Sequence, residues 1–280
     1  MPLLLNGFEN HRIDTGEVEI AYSVGPDSGP PLLMLHGFTV RRDIFLREID
    51  SLTSNFKVIT MDQRGHCDSG HVSGKNSRTE HARDIKFAIG NICNEAPIVW
   101  GHSIGGGNAV ELGGKESHLF RALVLEDPGL LPPTGSLRRK NTPSSREFRA
   151  LVGILDAKLS TEGLVQKIRE LIPIQLDFYA SWRAESLLQL DEELLRTFAH
   201  RKSAAGNNPA ENLVNIHCSV LLLQVDPDSS GILPDDYLQT IASNRDYFTI
   251  KKIVGAGHNI RLECPDLLLP VVLPWLTELT

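Results

Sequence analysis

The sequence predicts an α/β protein, a doubly wound and mostly parallel sheet with an inserted helical cap. Three observations lead there. Short apolar runs at 32–36, 98–100 and 220–225 are continuous rather than alternating, the pattern of strands covered on both faces. Helical segments separate them, and strand–helix alternation builds parallel sheets. The alternation then lapses between Gly129 and Asn215. That gap far exceeds the roughly two to six residues of an α/β loop, so something folded must be inserted there.

Taken in order, strands are expected at 18–24, 32–36, 56–61, 98–100, 122–125, 220–225 and 247–254, and core helices at 45–53, 78–92, 104–114, 235–242 and 265–279. Within the gap, apolar residues recur at helical spacing over 151–155, 161–171, 176–188 and 192–199, punctuated by Pro132, Pro133, Pro143, Pro173 and Pro209. The expected division is a core of 1–128 and 216–280 with a cap of 129–215. No internal repeat is visible.

A chain of 280 residues, 41% hydrophobic and 22% charged, can bury a sizeable core. Its net charge of −7 gives no basic field for phosphate backbones, which argues against nucleic acid and anionic membrane as partners. Arg138, Arg139 and Lys140 read as a solvated loop. Cys67, Cys93, Cys218 and Cys264 show no CxxC or Cys/His ligand spacing, so free thiols in a reducing cytosol, with no metal or other cofactor, are expected. The first residues, MPLLLNGFENHRI, lack a basic region and a small-residue cleavage site, so no secretory signal is expected. The apolar LLLPVVLPWL near the end carries two prolines and is too short to span a bilayer. The partner expected is a small-molecule substrate, and the oligomeric state monomer or homodimer.

The chemistry is carried first by Gly101-His102-Ser103-Ile104-Gly105, which follows an apolar strand and opens a helix. A turn this sharp forces the serine backbone into a strained conformation and needs small neighbours. It lifts Ser103 above the sheet. A serine hydroxyl is a weak nucleophile at neutral pH, so it needs a base and a group to orient that base. His258 lies in the loop Gly255-Ala256-Gly257-His258-Asn259 after the last strand, where open sheets place their ligands. It is the expected base.

Leu35-His36-Gly37-Phe38, Asp62-Gln63-Arg64-Gly65-His66, the Ser103 turn and Gly257-His258 together resemble the α/β-hydrolase superfamily, in order and in spacing, over nearly the full chain. The resemblance implies a cofactor-independent serine hydrolase, with backbone NH groups of Phe38 and Ile104 forming the oxyanion hole. It offers two positions for the triad acid. Asp228, after the strand at 220–225, stands in the usual place, although Val225 replaces the glycine usual in that turn. Asp127, after the strand at 122–125, stands in the place some members use, and Asp226 and Glu126 are further candidates. Members that open epoxides or cleave carbon–halogen bonds carry aspartate at the nucleophile position, so Ser103 argues against both activities.

His36 is expected to hold its loop, Arg64 to pair with carboxylates around the site, and His102 to orient the turn. Cys67 stands where many relatives have glycine. Trp182, with Phe178 and Tyr179 nearby in the cap, is a candidate for the substrate pocket as well as for the cap core. The activity expected is hydrolysis of a small, largely apolar carboxylic ester or lactone through an acyl-enzyme. The alternatives are a C–C bond (β-diketone-type) hydrolase, an amidase, and a ligand-sensing protein on the same scaffold.

Overall fold

A computed structural model describes residues 7–130, 143–172, 178–199, 209–225, 235–243 and 245–279. Eight strands form one sheet: β1 (Glu9–Asp14), β2 (Glu19–Val24), β3 (Pro31–Leu35), β4 (Lys57–Met61), β5 (Ile98–His102), β6 (Ala122–Glu126), β7 (Ser219–Val225) and β8 (Phe248–Ile253). Their spatial order is β1-β2-β4-β3-β5-β6-β7-β8. The pairs β1–β2 and β2–β4 are antiparallel, and every pair in the run β4-β3-β5-β6-β7-β8 is parallel, as the unbroken apolar runs lead one to expect. Strand β1, ENHRID, was not expected. It is a largely exposed edge strand with no apolar run, defined by its pairing to β2 across the Asp14–Gly16 turn.

Side chains alternate across the sheet even where the sequence does not. Leu33, Leu35, Ile59, Met61 and Val99 face one layer, packed with helices α2 (Arg78–Ile92) and α3 (Ile104–Glu116). Leu32, Met34, Val58, Ile98 and Trp100 face the other, packed with α1 (Leu46–Leu52). Helix α2 opens on a capping box, with the Ser77 hydroxyl accepting from the Glu80 NH and the Glu80 carboxylate accepting from the Ser77 NH.

Between β6 and β7 lie the cap helices α4 (Pro143–Asp156), α5 (Thr161–Leu171), α6 (Tyr179–Leu188) and α7 (Glu192–Ala199), then α8 (Pro209–Val214). Helix α4 starts earlier than its apolar spacing indicates. Helix α8, which sequence pattern missed, packs on the core rather than on the cap: Leu213 and Ile216 join the first layer, and the Asn212 side chain donates to Glu111 on α3 at 2.7 Å.

The chain closes with α9 (Asp235–Ala242), α10 (Ile260–Glu263) and α11 (Pro265–Thr277). Helix α11 buries Leu268, Val272 and Leu276 at spacing four. Pro270 and Pro274 lie inside this helix, both on its exposed side. Among the described residues, no helix is long and apolar enough to cross a membrane.

Candidate active site

Strand β5 ends at His102 and α3 begins at Ile104, leaving Ser103 to make the whole turn, with φ 51° and ψ −115°. An L-residue is strained at this φ. The strain is held by close packing that only glycine permits. A Cβ on Gly101 would come 2.5 Å from the Gly106 nitrogen, and one on Gly105 would overlap the Leu35 and His36 carbonyls. The Ser103 NH donates to the Glu126 carbonyl at 3.0 Å, and the Ser103 carbonyl accepts from Gly107 and Gly129. The nucleophile candidate is thereby fixed between β5, α3 and the turn after β6.

His258 reaches it from the loop after β8. Its Nε2 lies 2.9 Å from Ser103 Oγ and its Nδ1 lies 2.6 Å from Asp127 Oδ2. Asp127 is fully buried, also at positive φ, and its NH donates to the Leu223 carbonyl of β7. The carboxylate accepts, so Nδ1 carries the hydrogen and Nε2 is left to accept from the serine. Burial pulls the His258 pKa down, but the Asp127 hydrogen bond and charge, with Glu147 and Glu126 behind them, outweigh it and leave the pKa raised. Asp228 and Asp226 lie outside the described residues.

The backbone around His258 is held by two side chains. The Glu263 carboxylate accepts from the NH of Gly257 at 2.9 Å and of Asn259 at 3.1 Å. The His258 carbonyl lies 3.0 Å from His102 Nε2. A carbonyl only accepts, so this nitrogen is the protonated one, and burial keeps His102 neutral, its pKa well below the usual imidazole value. Neither contact is legible in the sequence, since Glu263 and His102 have no spacing signal that ties them to His258.

Phe38 follows β3 on a loop pressed against the elbow. A Cβ on Gly37 would meet His102 Nδ1 at 2.6 Å. His36 sets that loop, its Nδ1 donating to the Gly37 carbonyl at 2.7 Å and its Nε2 accepting from the Gln63 NH at 3.0 Å. Burial lowers its pKa to about 4, so it stays neutral. Among the described residues, neither the Phe38 NH nor the Ile104 NH finds an acceptor in the chain. For Ile104 this follows from its place at the first helical position.

Around these groups the charges are paired. Arg64 binds Asp84 in a two-pronged contact at 2.6 and 2.8 Å, and Glu17 at 3.1 Å. Asp62 accepts from the Arg42 NH and pairs with its guanidinium. Cys67 has φ 47°, in the region that favours glycine, and its NH donates to the Gln189 carbonyl at the end of α6.

A family model described as the alpha/beta hydrolase fold matches residues 30–217. The chain belongs to the α/β-hydrolase fold family. This α/β-hydrolase is 31% identical over 120 residues to 2-(acetamidomethylene)succinate hydrolase of Mesorhizobium japonicum, a stretch that is 43% of either chain. The curated relatives it matches at about 30% identity are each aligned over less than half of their length. Two solved structures share the fold over nearly the whole chain. N-formylmaleamic acid deformylase from Pseudomonas putida S16 has a TM-score of 0.77 at 20% identity, covering 94% of this chain and 100% of that one. The N-acyl homoserine lactonase AidH has a TM-score of 0.72 at 17% identity, covering 98% of each.

In this α/β-hydrolase the cap sits directly on the oxyanion candidates. Phe38 and Ile104 are the buried members of the cap cluster that come from outside it, joining Leu151, Leu164 and Leu194 among others. The Phe38 ring stacks on Phe198 at 4.3 Å and meets Phe148 edge-on at 4.9 Å. Trp182, a pocket candidate by sequence, is taken up by the joint between cap and core instead. Only 5% exposed, it packs with Val40 and Tyr179, and its indole donates to Asp43 at 2.8 Å. The aromatic cluster around Phe38 is completed by Phe148 and Phe198, which stand too far apart in sequence to be read as a cluster.

Proposed function

We propose that this α/β-hydrolase is a serine hydrolase of small, largely apolar carboxylic esters or lactones, working through an acyl-enzyme. The hydrogen-bonded chain from Ser103 Oγ through His258 to Asp127 carries the reading. Ser103 Oγ attacks the carbonyl carbon while its proton passes to His258 Nε2, and Asp127 stabilises the imidazolium. The NH groups of Phe38 and Ile104 receive the oxyanion; such donors are worth about 10²–10³ in rate each. Collapse breaks the carbonyl carbon–alkoxy oxygen bond, and the leaving alkoxide takes the proton from His258. Water, deprotonated by the same base, then attacks the acyl carbon, and the acid departs as Ser103 recovers its proton.

One observation supports an apolar acyl group: Phe38, Phe148 and Phe198 build an aromatic cluster beside the oxyanion donors. Amide hydrolysis is the second reading, favoured by the names of two similar proteins, the deformylase and the acetamidomethylene-succinate hydrolase. The four cysteines are free, which suits a reducing compartment such as the cytoplasm.

A fluorophosphonate probe is expected to label the wild type and not Ser103→Ala. Failure to label folded wild type overturns the serine reading. A series of p-nitrophenyl esters of increasing acyl length, a lactone panel and matched amides then decides substrate class. Higher kcat/KM on the amides would replace the ester assignment.

A further inference from the structure

We propose that Glu126 is a positioning residue that locks together the three segments bearing Ser103, Asp127 and His258. The inference rests on those three being the catalytic residues. Glu126 is the last residue of β6 and fully buried, and nothing in a hydrolytic mechanism calls on its carboxylate. The residue is nonetheless linked, by side chain or backbone, to each arm of the site. It is covalently next to Asp127. Its Oε2 accepts from Trp100 Nε1 at 3.1 Å, and Trp100 stands on β5 three residues before Ser103. The same oxygen pairs with the Arg261 guanidinium, and Arg261, the second residue of α10, lies three residues after His258. Its backbone carbonyl also accepts from the Ser103 NH.

Arg261 shows how much this link costs to build. It is 1% exposed, and its Nε and Nη1 have no hydrogen-bond acceptor among the described residues. Its guanidinium lies over the rings of Phe45 at 4.5 Å and Trp100 at 5.7 Å, with Glu48 of α1 3.3 Å away. A buried ion pair gains little net stability over apolar packing of the same volume. What this one supplies is a single rigid contact among β5, β6 and the His258 loop. The serine–histidine and histidine–aspartate distances are set by segments far apart in sequence, and a misplacement of about 1 Å can cost about 10²-fold in rate.

The electrostatic consequence has a definite sign. The charged and titratable groups around His258 are Asp127 from the turn after β6, Glu126 at the end of β6, Glu147 from α4 with its partner Arg183 from α6, and neutral His102 from β5, with Glu263 on the flanking NH groups and Arg261 beyond. Replacing Glu126 by glutamine removes an anion and leaves the Arg261 cation less compensated. Both changes disfavour imidazolium, so the acid limb of the pH–rate profile moves to lower pH.

The test compares Glu126→Gln, Glu126→Asp, Trp100→Phe and the charge-balanced pair Glu126→Gln/Arg261→Met with wild type on the best ester. Fluorophosphonate labelling of each reports Ser103 directly. Glu126→Gln is expected to lower kcat about 10- to 100-fold with KM within about threefold, and to shift the acid limb down. Trp100→Phe, which cuts only the β5 arm, should lower kcat several-fold, and the double variant should not restore it. Folded Glu126→Gln with kcat within twofold and an unmoved limb overturns the proposal, as does recovery of kcat in the double variant, which would reduce Glu126 to a counter-charge. If the glutamine variant does not fold, unchanged kcat in Trp100→Phe is the overturning result. Absence of labelling in wild type would instead sink the serine reading, so the two failures are distinct.

Discussion

At the scale of single residues, the acid and the base make separable predictions. Asp127→Asn keeps the shape of the site but frees the His258 ring to take the wrong tautomer, so kcat should fall about 10³–10⁴-fold with little change in KM. Asp228→Asn should leave kcat within twofold. Parallel steady-state measurements on one ester decide between them, and a large loss in the second variant alone would return the acid to the β7 loop. The pH dependence follows from the raised His258 pKa. The base must be neutral, so kcat/KM is lost as pH falls through that pKa, and the midpoint should lie above the ordinary imidazole value of about 6.5. Removing Asp127 takes away the charge that raises it. A pH–rate profile of Asp127→Asn with an unmoved acid limb would contradict this cause.

At the scale of elements, the Ser103 turn depends on what its neighbours lack. Gly105→Ala drives a Cβ into the backbone after β3, where no flexible side chain can yield, so a loss of stability of about 1–3 kcal/mol or more is expected in thermal or urea melts. Ser77→Ala offers a contrast of known type. It removes one arm of the α2 capping box and should cost about 1 kcal/mol, with kcat unaltered.

Across the molecule, the cap is joined to the core on two sides. Trp182 and Glu185 of α6 meet Asp43 and Arg41 after β3. The turn before α7 pairs with the loop after β4, where the Asp191 NH donates to the Gly65 carbonyl and the Ser73 hydroxyl to Glu193. Between these joints the cap's apolar core closes over Phe38 and Ile104. Phe198→Ala removes the ring stacked on Phe38 and should raise KM for apolar esters several-fold, more than it lowers kcat, because it loosens the aromatic cluster and leaves the triad in place. Equal losses in both parameters would mean that the stack orders the oxyanion loop as well.

Sequence alone determined the parallel sheet, the Ser103 turn, the His258 loop and the existence of a cap, because each has a local cause: continuous apolar runs, glycines around a strained serine, and a gap too long for a loop. Edge strand β1 escaped because an exposed strand needs no apolar pattern, and α8 because its six residues offer too short a periodicity to read. The choice between Asp127 and Asp228 as the acid beside His258 stayed open for a different reason. Whether a carboxylate at 127 lies within reach of a histidine at 258 depends on where β6 stands in the sheet and how the loop after β8 folds back, and no spacing encodes either. The same holds for the surroundings of Glu126, a further acid candidate by sequence, and of Trp182, a candidate for the pocket or for the cap core. Both are buried against neighbours brought from distant segments, which only the tertiary structure assembles.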